Sequence, residues 1–290
     1  MKETQSIDPQ PHQFIDRSDL KGLLALAKDW GAIFLIAIFS YWVNNLFVSL
    51  LAIWFIGCFQ VAIGESLLHE ASHYNLFKTR SWNDRLRFLY ALPFFLTLDE
   101  YRIQHANHHK YLMTEKDILL EEYERLGFTK TQKKLFFLWF IKPFFVAPIF
   151  LLQFIWDDIK LMSSQNKIEI SIFWLGILFI FYWLECLPFL LLYWFVPYIF
   201  VYSVIFYWTE VQDHYNTKTG TRSRIDPIHN FFSHNKGYHQ VHHICPSIPW
   251  YNLPKAHAIL VPDEAKQDIT NGFFDVYRQM QGVGIVSENT

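Results

Sequence analysis

The strongest chemical signal in the sequence is a group of three histidines in the segment QHANHHK, residues 104–110. His105, His108 and His109 are spaced i, i+3 and i+4, and these positions share one face of an α-helix. Three imidazole nitrogens on one face supply half of a metal site. The same H-x-x-H-H spacing returns in HQVHH, residues 239–243. The repetition predicts a fold in which the two copies face each other.

A third box, HEASH, places His69 and His73 at i and i+4, and His214 stands alone in the segment DHY. The boxes hold eight imidazoles, and His214 would make nine. A tetrahedral zinc ion takes only four ligands, so this number predicts two metal ions. Imidazole binds iron, zinc, copper and nickel, so the ligand type alone does not choose the metal. The remaining histidines that we interpret as structural are His12, His229, His234 and His257.

The composition indicates an integral membrane protein with substantial parts outside the bilayer. The hydrophobic fraction is 52% and the aromatic fraction 19%, and long apolar blocks alternate with polar blocks that carry most of the charge and histidine. The net charge of −2 gives no reason to expect a nucleic-acid partner. Three cysteines are too few for a disulfide framework, and the N-terminus lacks the early apolar core of a cleavable signal peptide.

We interpret four apolar segments as membrane spans, and the first two are near the length of about 20 residues that spans a bilayer. The four segments pair into two hairpins and cover residues 23–42, 46–68, 171–184 and 187–208. A fifth apolar segment, residues 135–156, contains Lys142, Pro143 and Pro148. We interpret it as a kinked interfacial or re-entrant segment rather than a span.

The charge distribution predicts the orientation of the chain. Lys and Arg are absent from the two hairpin turns and concentrated in the N-terminus, in residues 75–134 and after Tyr215. The positive-inside rule then places both termini and all histidine boxes in the cytoplasm. The predicted fold is all-α, with four transmembrane helices, interfacial helices and a cytoplasmic histidine-rich cap. The predicted units are a tail (1–22), a membrane domain (23–262) and a C-terminal tail (263–290).

The order H-x-x-x-H, H-x-x-H-H, H-x-x-H-H resembles that of the membrane fatty acid desaturase superfamily, which also holds lipid hydroxylases and carotenoid-modifying oxygenases. The first box with its trailing residues, HEASHYNLF (69–77), is similar to the family's first box. Asp117, eight residues after His109, resembles an acidic position that follows the second box. The run NKGYHQVHHICPSIPWYNLPKAH (235–257) is similar to the third box with its downstream prolines. The resemblance covers roughly residues 61–257.

The resemblance implies a centre of two iron ions that activates O2. It implies that eight boxed histidines are iron ligands, namely His69, His73, His105, His108, His109, His239, His242 and His243. His214 resembles a further ligand after the last span, while Asn235 and Asp117 are expected to act around the ligands rather than as ligands. Electrons are expected from a separate carrier of the ferredoxin or cytochrome b5 type, because neither a Gly-rich dinucleotide fingerprint nor a His-Pro-Gly-Gly haem motif is present.

The expected substrate is a lipid that enters from the bilayer, and the leading hypothesis is desaturation of an acyl chain. A lipid hydroxylase or a carotenoid ketolase is an alternative, because the boxes do not separate hydrogen removal from oxygen insertion. A zinc-dependent membrane hydrolase, an alternative of another class, would need fewer histidines and a carboxylate or serine partner. A metal transporter would place its ligands at mid-membrane.

Overall fold

The structure, a computed structural model, describes residues 10–128 and 134–282, and nearly all regular structure in this part is helical. In chain order the helices are α1 (Asp19–Val43), α2 (Leu46–Ser72), α3 (Arg80–Arg85), α4 (Leu98–Tyr111), α5 (Ile118–Leu126), α6 (Phe137–Leu161), α7 (Ser164–Trp183), α8 (Leu187–His214), α9 (Pro227–Phe232), α10 (His239–Ile244), α11 (Leu253–Leu260) and α12 (Phe273–Gly282). Short 3-10 turns cover Pro11–Phe14, Arg87–Leu89, Leu92–Phe94, Trp250–Asn252 and Asp263–Asp268. Strands β1 (Ser223–Arg224) and β2 (Ile269–Thr270) form a parallel pair with Ser223 opposite Ile269. The predicted all-α class is confirmed.

Helices α1, α2, α6, α7 and α8 are long and apolar enough to cross a membrane. Their outer faces expose large apolar side chains, such as Leu35, Trp42 and Trp183, which are 71%, 79% and 75% exposed. Such continuous apolar surface is typical of contact with lipid rather than water. The predicted count of four spans is not confirmed, because α6 also has the length and composition of a span.

The first hairpin turns where the sequence predicts it. Asn44 ends α1 in the left-handed conformation, with φ 48°, and the Asn45 side chain accepts hydrogen bonds from the Phe47 and Val48 amides at the start of α2. Asparagine suits both places, because it tolerates positive φ and caps helix N-termini well.

The helices of the second hairpin are longer than the apolar segments predicted for them. Helix α7 begins at Ser164 rather than residue 171, because Ser163 Oγ caps it by accepting a hydrogen bond from the Asn166 amide. Helix α8 continues past Trp208 to His214. Some of the polar residues after Trp208 find partners within the protein, and this favours extension of the helix beyond its apolar part. Thr209 Oγ1, for example, donates to Glu65 Oε2 at 2.9 Å.

Both ends of α6 lie beside helices that carry histidines. Near its start, the Trp139 carbonyl accepts a hydrogen bond from Trp208 Nε1 of α8 at 2.9 Å. Near its end, Asp158 Oδ1 accepts one from Gln104 Nε2 of α4, also at 2.9 Å. Between these points Phe150 stacks against Phe206, which is again near the C-terminal end of α8. Helix α6 therefore crosses that end of α8.

Helix α2 packs against both α1 and α8. A Cβ at Gly57 would overlap the Val201 side chain, so glycine permits α2 and α8 to approach closely. The segment predicted as a tail from residue 263 packs on the rest of the chain within the described part. There the Asp268 carboxylate accepts hydrogen bonds from the Lys218 and Thr219 amides, and Phe273 stacks on Trp139.

Candidate metal centre

The first histidine box lies at the end of α2. This helix contains a π-helical turn, Ala62–Leu67, which changes the rotation of the residues that follow it. His69 then falls on the buried side with 3% exposure, and His73 follows at the C-cap. The guanidinium of Arg102 on α4 donates to the Ser72 carbonyl at 3.0 Å, which ties this helix end to the second box.

Helix α4 carries His105, His108 and His109 on one face, as their spacing predicts. The third box forms the short helix α10. A Cβ at Gly237 would overlap the Arg224 carbonyl, so a glycine is required two residues before His239. His214 is the last residue of α8. The sequence predicts His214 after the last span, and the structure places it on the same helix, which continues past its apolar part.

Nine histidines converge into two neighbouring groups. In the first, one ligand nitrogen from each of four residues lies within 4.8 Å of the others; these are His69, His73, His105 and His242. His109 adjoins this group, since its Nε2 is 3.0 Å from the Nε2 atoms of both His105 and His242.

The second group meets the same distance limit and is formed by His108, His214, His239 and His243. Its members come from α4, the end of α8, and α10. The Nε2 atom of His214 is 3.1 Å from that of His108 and 2.9 Å from that of His239. His239 Nε2 is also 3.0 Å from His243 Nε2.

The distances between the nitrogens fit metal coordination. Two nitrogens each about 2.1 Å from one ion, and at right angles about it, are about 3.0 Å apart. Burial, followed by repulsion from neighbouring imidazoles, lowers the pKa of His105, His242 and His243 well below the usual value and that of His109 to about 3. These imidazoles are therefore neutral at pH 7, the form that binds a metal ion. Hydrogen bonding alone does not explain the geometry, because the Nε2 atoms approach one another rather than distinct acceptors.

Other hydrogen bonds orient two members of the second group. His108 Nδ1 lies 3.1 Å from Asp117 Oδ1, and His214 Nδ1 donates to the Gly220 carbonyl at 2.8 Å. A proton on Nδ1 leaves the lone pair of Nε2 directed at the group. Burial raises the pKa of Asp117, but hydrogen bonds from His108 and from the Met113 and Leu119 amides outweigh it, so the pKa is lowered and the carboxylate is charged.

The Asn235 side chain has a hydrogen-bond partner in the backbone of the described residues. It donates to the Trp250 carbonyl at 3.2 Å. The histidines interpreted as structural lie outside both groups; His234, for example, contacts Asp29 Oδ2 at 2.6 Å. The expected place of Asn235 beside the ligands stays a prediction.

A cavity of about 120 Å³ borders both histidine groups. His69 and His105 of the first group line it, and so do His108, His214 and His239 of the second. Its other walls include four ionisable residues that the sequence analysis did not select, namely Glu65, Glu122, Glu210 and Lys236. Glu65 and Glu210 had a recognisable signal, because each is an acidic residue in a helix that is otherwise largely apolar.

Comparison with known proteins gives two findings. The sequence profile of the family "Fatty acid desaturase" matches residues 28–272. A dihydrorhizobitoxine desaturase from Bradyrhizobium elkanii is 31% identical to this chain over 278 residues, an alignment that covers 84% of this chain and 76% of that protein.

Proposed function

This chain belongs to the fatty acid desaturase family, and we propose that it is a membrane-bound di-iron oxidoreductase that uses O2 to desaturate its substrate. The observation that carries the proposal is the convergence of nine histidines into two adjoining groups beside one cavity. Family membership supports iron as the metal, because the imidazole ligands themselves do not choose it. Bound iron would supply O2 activation and hydrogen abstraction.

The reaction balances with a separate electron donor. Two C–H bonds of a CH2–CH2 unit are lost and one C=C bond forms, so the substrate gives up two electrons and two protons. A one-electron carrier protein supplies two further electrons, and the solvent supplies two protons. One O2 accepts all four electrons and becomes two water molecules. We propose a ferredoxin-type or cytochrome b5-type protein as the donor.

The residues of the chain hold and orient the participants. The nine histidines would hold the two ions, and Asp117 fixes the His108 ring. The cavity holds the carbon atoms that react beside both groups, and its apolar walls, which include Phe94, Leu151 and Phe206, exclude water from them.

The proposed topology has four spans in two hairpins, formed by α1 with α2 and by α7 with α8. Helix α6 lies along the interface, and its contacts at both ends with histidine-bearing helices support this placement. The lysine and arginine distribution supports a cytoplasmic position for both termini and for the histidine groups.

Membership of the family supports the proposal that a lipid acyl chain is desaturated. The 31% identical relative is named for desaturation of a different compound, dihydrorhizobitoxine. Hydroxylation is the alternative outcome at the same centre. A zinc hydrolase is disfavoured, because it would need fewer histidines than the nine that converge here.

Mass spectrometry of total extracts, both lipid and polar, tests the reaction in cells that do or do not express the protein. Expression should produce a compound two mass units lighter than its precursor, and the product should require O2. The His108→Ala variant should insert into the membrane and form no product. A product sixteen mass units heavier than its precursor would indicate hydroxylation instead of desaturation. An active His108→Ala variant would show that the proposed metal centre takes no part in the reaction.

A further inference from the structure

The cavity beside the histidine groups is small, and both apolar and ionisable side chains line it. Its volume of about 120 Å³ is close to that of an apolar cavity which holds a benzene-sized molecule. The apolar lining residues include Phe94, Leu151 and Phe206. The ionisable lining residues need another explanation, because a cavity that contacts only hydrocarbon has no use for them.

The charges of the residues that line the cavity do not balance. Among the residues that line the cavity, Lys236 is the one lysine or arginine, and its Nζ is 3.3 Å from Glu65 Oε2. Thr209 Oγ1 donates to the same oxygen at 2.9 Å. Glu65 is only 4% exposed, and its second oxygen, Oε1, has no hydrogen-bond partner within the described part of the chain.

Two further carboxylates face the cavity without a partner. Glu122 is 5% exposed, and neither Glu122 nor Glu210 has a side-chain hydrogen bond or ion pair with any described residue. Arg125, one turn from Glu122, instead pairs with Asp157 at 3.3 Å. Burial raises the pKa of Glu122, and attraction by Arg125 offsets only part of this rise. A buried carboxyl group without a hydrogen-bonding side chain is costly to ionise, and a cationic ligand in the cavity would stabilise its charged form.

We propose that the cavity binds an ammonium group of the substrate at Glu122 and Glu210, so that the enzyme desaturates an amine a few bonds from its nitrogen. The proposal rests on the desaturase function proposed above and deepens it by naming the substrate class. The ionisable lining residues hold the nitrogen, and the apolar lining residues hold the carbon atoms beside the histidine groups. A cavity of this size encloses about six non-hydrogen atoms, so the substrate is either a small amino compound or the amino end of a lipid.

Ligand binding tests the proposal without turnover. The purified holoprotein in an uncharged detergent is titrated at pH 7 with pentylammonium, 1-pentanol and pentanoate, and binding is followed by saturation-transfer NMR. Pentylammonium should bind about tenfold or more tightly than the alcohol, because a buried carboxylate favours a charged donor. Pentanoate should bind more weakly than both.

Isosteric variants locate the binding site. Glu210→Gln and Glu122→Gln should each reduce the preference for pentylammonium to within about threefold of the alcohol, because the charge is lost and the shape is kept. Glu121→Gln is the matched control, since Glu121 is an exposed neighbour of Glu122 on the same helix. An equal preference in all four proteins, or none in the wild type, would overturn the proposal.

Dodecylammonium in the same titration separates the two sources of the amine. If dodecylammonium binds more tightly than pentylammonium, the substrate is an amino lipid. If it binds more weakly, the substrate is a small amino compound. A third metal ion per chain that is lost in Glu210→Gln would instead assign the carboxylates to a cation and overturn the proposal. A failure of the proposed desaturase function gives a different result. In that case the protein contains no iron and forms no lighter product, but the preference for pentylammonium is unchanged.

Discussion

His108 shows how single side chains are fixed in the proposed centre. Its Nε2 atom lies 3.1 Å from His214 Nε2, and its Nδ1 atom lies 3.1 Å from Asp117 Oδ1. Asp117 also caps α5, because its side chain accepts a hydrogen bond from the Leu119 amide. One carboxylate therefore both begins a helix and orients a proposed ligand.

Replacing Asp117 with asparagine separates these two roles. Asparagine caps helices about as well as aspartate, so the stability of α5 should be kept. The negative charge beside His108 is lost, and we expect a reduction of 10- to 100-fold, roughly, in metal affinity or activity. Metal retention during dialysis against a chelator measures the effect. Asp263→Asn, at an exposed surface position, should behave as wild type, and full metal retention in Asp117→Asn would contradict the proposed role.

The sequence predicts the residues whose spacing carries the signal and misses those that depend on distant contacts. His105, His108 and His109 are recognisable because a helix places i, i+3 and i+4 together. Glu65 and Lys236 are 171 positions apart, and no local pattern predicts that they meet across the cavity. The helix that ends at His214 is likewise longer than its apolar part, because tertiary partners for its polar residues are invisible in the sequence.

At the level of elements, α6 decides between two topologies. Its apolar composition is compatible with a fifth span, and sequence composition alone does not separate a span from a helix in the interface. Its contacts with Trp208 near one end and Gln104 near the other favour the second arrangement. This difference matters because an odd number of crossings between α4 and α8 would separate the histidines that meet in the structure.

Cysteine labelling tests the placement of α6. Lys134 precedes the helix and Lys160 lies near its end, and both are exposed. In a cysteine-free background, Lys134→Cys and Lys160→Cys should react with a membrane-impermeant maleimide only after the cells are permeabilised. A protein that keeps Cys186 as its single cysteine, in the turn of the second hairpin, should react in intact cells. Labelling of Lys134→Cys and Lys160→Cys from opposite sides would establish α6 as a span.

At the level of the whole molecule, the fold brings residues from three distant parts of the chain to one end of two helical hairpins. Helix α2 delivers His69, α4 delivers the second box, and α8 with α10 delivers the rest. The sequence predicts this meeting from the repeated boxes and an even number of crossings. The grouping of the nine histidines into two sets, with His239 and His242 of one box in different sets, required the structure.

The metal content of the purified protein tests the central claim most directly. Freshly purified chain should contain about two iron ions, because each histidine group offers at least four nitrogen ligands. His239→Ala and His242→Ala, which alter different groups, should each retain about one ion, while His12→Ala, an exposed histidine outside both groups, should retain two. Stoichiometric zinc without iron, or an unchanged two ions in both His239→Ala and His242→Ala, would contradict the proposed centre.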